Sequence, residues 1–306
     1  MTPVLSIVVP VHNEAESLPE LLRRIDASVR AGFPEYEVIL VDDGSTDESW
    51  SVIRNAASHH SSVRGIRLSR NMGEHIAVSA GLDAASGERV VLMDADLQDL
   101  PEHIPVLAAE LGHGYDMVYA IRKHRQHGVL KRWTSSFFWM LLRRLTGLDI
   151  PPDQATLRIM TKRFRDALVS LPESNRFIYG LTAVIGFPQK GVELEHGKRF
   201  AGRSNYNPMK LLLLAATGVT ALSSFPLRLA FFVGLFLTAT SSIFAVEILV
   251  QKLVFNSVSE GWTSLMVAII FMGGVQMTMI GILGVYMGKN YMESKHRPLY
   301  FISDRT

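Results

Sequence analysis

Two stretches without a charged residue, Leu229–Val246 and Gly261–Gly288, constrain this chain more than any other feature. Each is long enough to cross a hydrocarbon core of roughly 30 Å, which takes about 20 residues of helix. A buried core helix would also be uncharged. Two such runs in succession, with Gly273, Gly274, Gly281 and Gly284 offering small packing faces, instead predict a two-helix transmembrane hairpin over residues 227–288. Glu247, Gln251, Lys252, Asn256 and Glu260 fall between the runs as a polar turn. A hydrophobic fraction of 48% and a mean hydropathy of +0.18, high for a soluble protein, agree with that reading.

Arg228 precedes the first run, Lys289, Lys295 and Arg297 follow the second, and Lys252 is the basic residue between them. The positive-inside rule therefore places both termini in the cytoplasm, with residues 289–306 as a cytoplasmic tail. The expectation is an integral membrane protein, of the inner membrane if the cell is bacterial. Met1–Pro10 has no basic n-region and too short an apolar run for a signal peptide. Pro208–Leu222 is apolar with few charges; it reads either as a segment lying along the membrane surface or as a helix packed on a domain. Residues 208–226 are assigned as an interfacial, juxtamembrane segment, and the Gly faces of the hairpin leave room for a homo-oligomer.

Residues 1–207 have another character. Leu5–Pro10, Glu37–Val41, Val63–Leu68, Arg89–Met93 and Asp116–Ala120 are short β-rich runs, with helix-like stretches Glu16–Val29, Thr46–Ser58 and His75–Ala85 between the first four. Alternating strands and helices predict an α/β domain with a mostly parallel sheet. In such sheets ligands bind outside the carboxyl ends of the strands.

What stands at those ends is acidic. Pro10-Val-His-Asn-Glu14 follows the first strand, Asp42-Asp-Gly-Ser-Thr-Asp47 the second, and Asp94-Ala-Asp-Leu-Gln-Asp99 the fourth. Each alone could be a turn or a helix cap. Together on one edge they would repel one another without a cation, and an oxygen-rich cluster suits Mg2+ or Mn2+ bridging carboxylates to a diphosphate. Alternation puts Asp94, Asp96 and Gln98 in one row. The 31 Lys and Arg against 29 Asp and Glu give a net charge of only +2, which argues against a nucleic-acid partner held by bulk attraction. With Cys at 0, disulfides, thiolate zinc sites and cysteine nucleophiles are excluded.

Ser6-Ile-Val-Val-Pro-Val-His-Asn-Glu14, the Val41-Asp-Asp-Gly-Ser45 turn and Asp94-Ala-Asp-Leu-Gln-Asp-Leu-Pro101 together resemble family 2 glycosyltransferases of the GT-A fold. Arg122-Lys123, Lys131-Arg132-Trp-Thr-Ser135, Arg176-Phe-Ile-Tyr-Gly180, Arg199-Phe-Ala-Gly-Arg-Ser-Asn-Tyr206 and the closing Gly288…Tyr300 segment are similar to the polyprenyl-phosphate sugar synthases among them. That subgroup includes dolichyl-phosphate mannosyltransferase and the bacterial undecaprenyl-phosphate glucosyltransferases. The resemblance implies that Pro10, Glu14, Asp42, Asp94 and Arg122 bind the nucleotide-sugar. It also implies that Asp94, Asp96 and Gln98 hold a divalent metal on the diphosphate, with Asp96 in the catalytic set. Arg132, Ser135 and Arg199 would meet donor or lipid phosphates, where a guanidinium forms paired hydrogen bonds.

Two departures stand out. Relatives carry Asp-x-Gly-Asp-Phe-Arg-Leu-Met where this chain has Asp153-Gln-Ala-Thr-Leu-Arg-Ile-Met160, so Thr156 replaces the Asp often cast as base. Asp153, three residues earlier, is the candidate substitute base. Arg158 and the other cations are expected to matter more, since the acceptor phosphate, with a second pKa of about 6, is largely dianionic already. The second departure is Asn205, where relatives often have Lys.

The resulting expectation is an inverting glycosyltransferase that moves one sugar from a UDP- or GDP-linked donor to a polyprenyl phosphate, undecaprenyl or dolichyl, at the cytoplasmic face of the bilayer. A processive polysaccharide synthase usually carries Gln-x-x-Arg-Trp; the one Arg-Trp here, Arg132-Trp133, has no Gln three residues before it. A non-catalytic transferase-like subunit finds support only in Thr156. A protein or glycerolipid acceptor would share the same donor site.

Overall fold

The computed structural model describes residues 3–122, 151, 154–173, 176–195, 197, 225–255 and 261–306. They fall into two compact units, residues 1–211 with 298–306, and residues 212–297.

The first unit is built on strands β1 (Leu5–Val11), β2 (Tyr36–Asp42), β3 (Val63–Leu68), β4 (Arg89–Leu92), β5 (Met117–Arg122), β6 (Gln154–Thr161), β7 (Gln189–Leu194) and β8 (Ile302–Arg305). They form one sheet in the order β7-β5-β6-β4-β1-β2-β3-β8. The pairs β1–β2, β1–β4, β2–β3 and β5–β7 are parallel. Antiparallel β6 is inserted between β4 and β5. The mostly parallel sheet read from sequence is thus present.

Helices cover both faces, which is why β1 reads as an unbroken buried run rather than an alternating one. α1 (Leu18–Val29) turns Leu18, Leu21, Ile25 and Val29 inward at helical spacing, and Pro19 sits in its first turn, where no N–H is needed. With α2 (Ser49–His59) and α4 (Ile104–Leu111) it packs against Leu5, Ile7, Val9, Val91 and Leu157. The other face holds α3 (Glu74–Ala84), α5 (Lys162–Ser170) and α6 (Ile178–Ile185), packed on Val8, Ile39, Leu92 and Met160. Gly81 lets α3 lie close on β1, since a Cβ there would run into Val8.

Residues 298–306, within the stretch expected as a cytoplasmic tail, join the first unit. β8 pairs antiparallel with β3, Thr306 Oγ1 accepts the Gly65 N–H at 2.7 Å, and the Tyr300 hydroxyl donates to Asp83 at 2.6 Å. The edge of β3 is covered, which removes a row of open backbone groups.

The second unit contains α7 (Phe225–Phe255) and α8 (Trp262–Ser294). Phe225–Phe244 and Phe271–Ser294 are long and apolar enough to cross a membrane, and none of either window is buried in protein. Phe231, Phe236, Phe244, Ile280 and Leu283 are exposed. α7 runs on through Glu247 to Phe255, so residues expected in the polar turn belong to the helix instead.

Candidate active site

The carboxyl ends of β1, β2 and β4 open on the same edge of the sheet, and all three acidic loops leave from it. The first two loops are sewn together. Asn13, in the left-handed region at φ 56°, accepts the Thr46 N–H at 2.9 Å, and its own N–H donates to Ser45 Oγ at 3.0 Å. Asp47 accepts the Ala15 N–H at 3.2 Å. Asp42 is completely buried; its Oδ1 accepts the Ser45 N–H at 3.0 Å, and its Oδ2 lies 3.1 Å from Arg67 Nε as an ion contact without hydrogen-bond alignment. Asp43 reaches the other way, accepting the N–H groups of Met72 at 2.6 Å and Gly73 at 2.9 Å, which ties the β2 turn to the start of α3. Between them Gly44 takes φ 63°, where a Cβ would lie 2.5 Å from the Arg70 and Asn71 backbone. Asp42 therefore braces a rigid turn rather than facing open solvent.

Beyond β4 the alternation persists after the ladder ends. Met93, Ala95, Leu97 and Asp99 are buried, while Asp94, Asp96 and Gln98 are partly exposed in one row. Leu97 adopts φ 60°, a conformation that costs a bulky residue about 1–3 kcal/mol and persists only where the surroundings hold it. Its burial in the core and two hydrogen bonds beside it do so: Asp96 Oδ1 accepts the Gln98 N–H at 3.0 Å, and Gln98 O accepts the Gly197 N–H at 2.8 Å. Asp99 accepts the Leu157 N–H at 2.8 Å, locking this loop to β6.

β6 supplies the other wall. Leu92 pairs with Arg158; carried two residues on, that antiparallel register sets Asp94 opposite Thr156. The Thr156 hydroxyl lies 3.1 Å from the Tyr179 hydroxyl on α6, and Thr156 favours the ionised form of the facing Asp94 carboxyl. Arg158 is completely buried, with Nε on the Thr156 carbonyl and Nη2 on the Ala155 carbonyl, each at 3.1 Å, and its guanidinium 4.5 Å from the centre of the Tyr179 ring. Its Nη1 has no partner among the described residues. His75 stands edge-on to Phe177 at 5.9 Å and to Tyr179 at 6.0 Å.

The cluster is electrostatically loaded. Burial pushes the Asp94 carboxyl well above the usual carboxylate range; Glu74, Asp99 and Asp96 push it further, against the Thr156 hydrogen bond. Glu74, at the first turn of α3, is raised by the protein around it and by Asp96 and Asp43, with Arg158 opposing. Its side chain also reaches solvent, so water weakens this effect relative to that on Asp94. Burial, then Arg158, brings His75 down to about 4. Among the described residues no group of three His, Asp or Glu side chains is poised to hold a metal alone. Two carboxylates and an amide oxygen in one row nevertheless form a hard-oxygen donor set that Mg2+ or Mn2+ accepts when phosphate and water complete the shell, and the unbalanced acid charge fits a cation.

A mostly parallel mixed sheet with acidic loops at its carboxyl edge has the architecture of the GT-A fold, and comparison places it. The chain belongs to glycosyl transferase family 2, whose model matches residues 6–168. It is 38% identical to the bactoprenol glucosyl transferase of Shigella phage SfV over 98% of both chains. It is 37% identical to the undecaprenyl-phosphate 4-deoxy-4-formamido-L-arabinose transferase of Pseudomonas fluorescens, over 97% of this chain and 89% of that one. In fold it is similar to glucosyl-3-phosphoglycerate synthase of Mycobacterium tuberculosis, solved with Mn2+, UDP-glucose and phosphoglyceric acid. The TM-score is 0.53 and the identity 20%, over 72% of this chain and 78% of that one. The chain is thus a glycosyltransferase of the GT-A fold.

Of the residues singled out by sequence, Asp94, Asp96, Gln98 and Arg158 come together, and Pro10, Glu14 and Asp42 stand at neighbouring strand ends of the same edge. Arg158 is enclosed rather than presented to a ligand. Arg122 lines a crevice with Asp99, His103, Ala155 and Glu195. Arg132, Ser135, Asp153 and Arg199 lie outside the described residues, as does Asn205. Sequence reasoning gave no role to Glu74, His75 or Tyr179. A Glu-His pair opening a helix after Gly73 was the available signal for the first two; Tyr179 had none beyond its place in Arg176–Gly180.

Proposed function

We propose that this protein transfers a single sugar, with inversion, from a nucleoside-diphosphate donor to a polyprenyl phosphate of the undecaprenyl type at a membrane surface. The observation that carries this reading is full-length similarity, 38% over 98% of both chains, to an enzyme named for glucosyl transfer to bactoprenol. The two apolar helices and the acidic edge of the sheet support it. Pro10, Glu14 and the turn braced by Asp42 form the pocket for base and ribose. A divalent cation, Mg2+ or Mn2+, held by Asp94, Asp96 and Gln98 would stabilise charge on the departing diphosphate.

The acceptor phosphate oxygen attacks the anomeric carbon from the face opposite the diphosphate, forming one C–O bond as the other breaks. No side chain need remove a proton, because the phosphate monoester is largely dianionic at pH 7. Thr156 is compatible with that chemistry. Arg158, buried beside the carboxylates, limits their mutual repulsion. Arg132, Ser135 and Arg199 are proposed as phosphate contacts and Asp153 as the alternative base. Anchoring by α7 and α8, with the catalytic unit and both termini cytoplasmic, keeps the site against the bilayer, so a very apolar acceptor need not leave it.

The test is transfer by purified protein in detergent, given undecaprenyl phosphate, Mg2+ or Mn2+, and labelled UDP- and GDP-sugars. Label should enter the lipid fraction, and Asp96→Ala should abolish it. Donor binding without transfer to any lipid would overturn the acceptor assignment.

A further inference from the structure

The carboxylate most often given to the β6 position is here a hydroxyl, and the hydroxyl is not idle. Thr156 Oγ1 lies 3.1 Å from the Tyr179 hydroxyl and, in the register carried two residues beyond the Leu92–Arg158 pair, faces the Asp94 carboxyl, whose ionised form it favours. Thr156 is buried, as are the residues flanking it on β6. A threonine hydroxyl has one proton and two lone pairs. An ionised Asp94, the form a cation site requires, can only accept. The single Thr156 proton must then go to Asp94, and Thr156 must accept from Tyr179. The Tyr179 phenol suits that duty: burial and the nearby acids keep its proton on, with the pKa pushed up to about 12.

The tyrosine is itself held on three sides. Arg158 stacks on its ring at 4.5 Å, Phe177 packs at 5.9 Å and His75 stands edge-on at 6.0 Å. Its orientation is therefore set by packing before any ligand arrives.

We infer that Tyr179 is a positioning residue for the metal–diphosphate site: its hydroxyl donates to Thr156, whose hydroxyl donates to Asp94 and holds that carboxylate in the orientation that meets the cation. The chain runs from α6 through β6 to the loop after β4. It rests on the reading of Asp94 as a metal ligand. Arg158 has a distinct place in it. Enclosed and bonded to the Ala155 and Thr156 carbonyls, it fixes the β6 backbone beneath the threonine and the ring above it.

The experiment measures Mn2+ binding in the presence of UDP on the full-length protein in detergent, by the electron paramagnetic resonance signal of free Mn2+. Partners that orient a metal ligand typically alter affinity by about 10- to 100-fold. Tyr179→Phe, which keeps the ring and the Arg158 contact, is expected to raise the Mn2+ dissociation constant by roughly tenfold. Thr156→Val should do the same, Thr156→Ser should restore tight binding, and the Tyr179→Phe/Thr156→Val double variant should be no weaker than either single one, as links of one chain require. Asp94→Ala separates this inference from the reading beneath it. If Asp94→Ala weakens Mn2+ binding and Tyr179→Phe does not, the positioning role is wrong. If Asp94→Ala has no effect, the metal assignment fails and takes the inference with it. Should Tyr179→Phe lose its fold by circular dichroism, the comparison of Thr156→Val with Thr156→Ser decides: equal affinities would overturn the inference.

Discussion

The Arg158 guanidinium lies 4.5 Å from the centre of the Tyr179 ring, wholly inside the protein, with one nitrogen left without a partner among the described residues. It is a buried cation whose neighbours in charge are Asp99, Asp94 and Glu74. Removing it leaves those acids uncompensated. Arg158→Met should therefore destabilise the first unit by about 3–5 kcal/mol, the scale seen when one partner of a buried charge group is deleted. Apparent Tm in detergent checks this. The loss should be smallest at low pH, where Glu74 and Asp94 are protonated, and should grow as they ionise.

His75 makes a second pH prediction with its own sign. Its folded pKa of about 4 lies below the ordinary 6.5. Between those values the unfolded chain binds the proton and the folded one does not, so this group adds stability as pH rises from 4 to 6.5 and withdraws it on acidification. The raised carboxyls of Asp94 and Glu74 bend the curve the opposite way. His75→Gln removes the imidazole alone, so between pH 4.5 and 6.5 the variant should gain less stability, or lose more, than the wild type. Parallel denaturation curves at pH 4.5 and 6.5 for the two proteins would contradict the assignment.

Gly44 is a position where only glycine fits. At φ 63° a side chain costs about 1–2 kcal/mol, and here its Cβ would also meet the Arg70 and Asn71 backbone at 2.5 Å. Gly44→Ala is expected to lower the denaturation midpoint and, by prying apart the loops joined through Asp43, to weaken nucleotide-sugar binding. Retention of both properties would show the turn to be compliant.

The absence of cysteine makes topology directly measurable. Asn256→Cys and Ser303→Cys introduce single thiols in the inter-helix segment and in β8. With an impermeant maleimide on intact cells, position 256 should label and position 303 should label only after permeabilisation. The reverse pattern would place the catalytic unit outside.

The first half of the catalytic unit was legible because its strands are apolar on both faces and its helices carry clean inward stripes. β1 to β5 and α1 to α3 lie within a few residues of where the sequence sets them. β6 escaped notice as a strand: Arg158 in the middle of Gln154–Thr161 argues for an exposed segment, and only a carbonyl pair and an aromatic face make its burial tolerable. β7 and β8 are short and polar, as edge strands are. The row shared by Asp94, Asp96 and Gln98 was readable from alternation. Glu74 and Tyr179 were not, because their relevance depends on α3 and α6 packing on the same face of the sheet, a long-range fact with no local trace.

Strand β8 has a consequence for how the molecule is made. It completes the sheet of the first unit, yet it follows α7 and α8 along the chain. During synthesis the edge of β3 stays open until both apolar helices have emerged and been disposed of, and only then can Thr306 close on Gly65. A ribosome that stalls within the helices leaves a catalytic unit with an adhesive border. Maturation of the enzyme is thereby made to wait on the fate of its anchor.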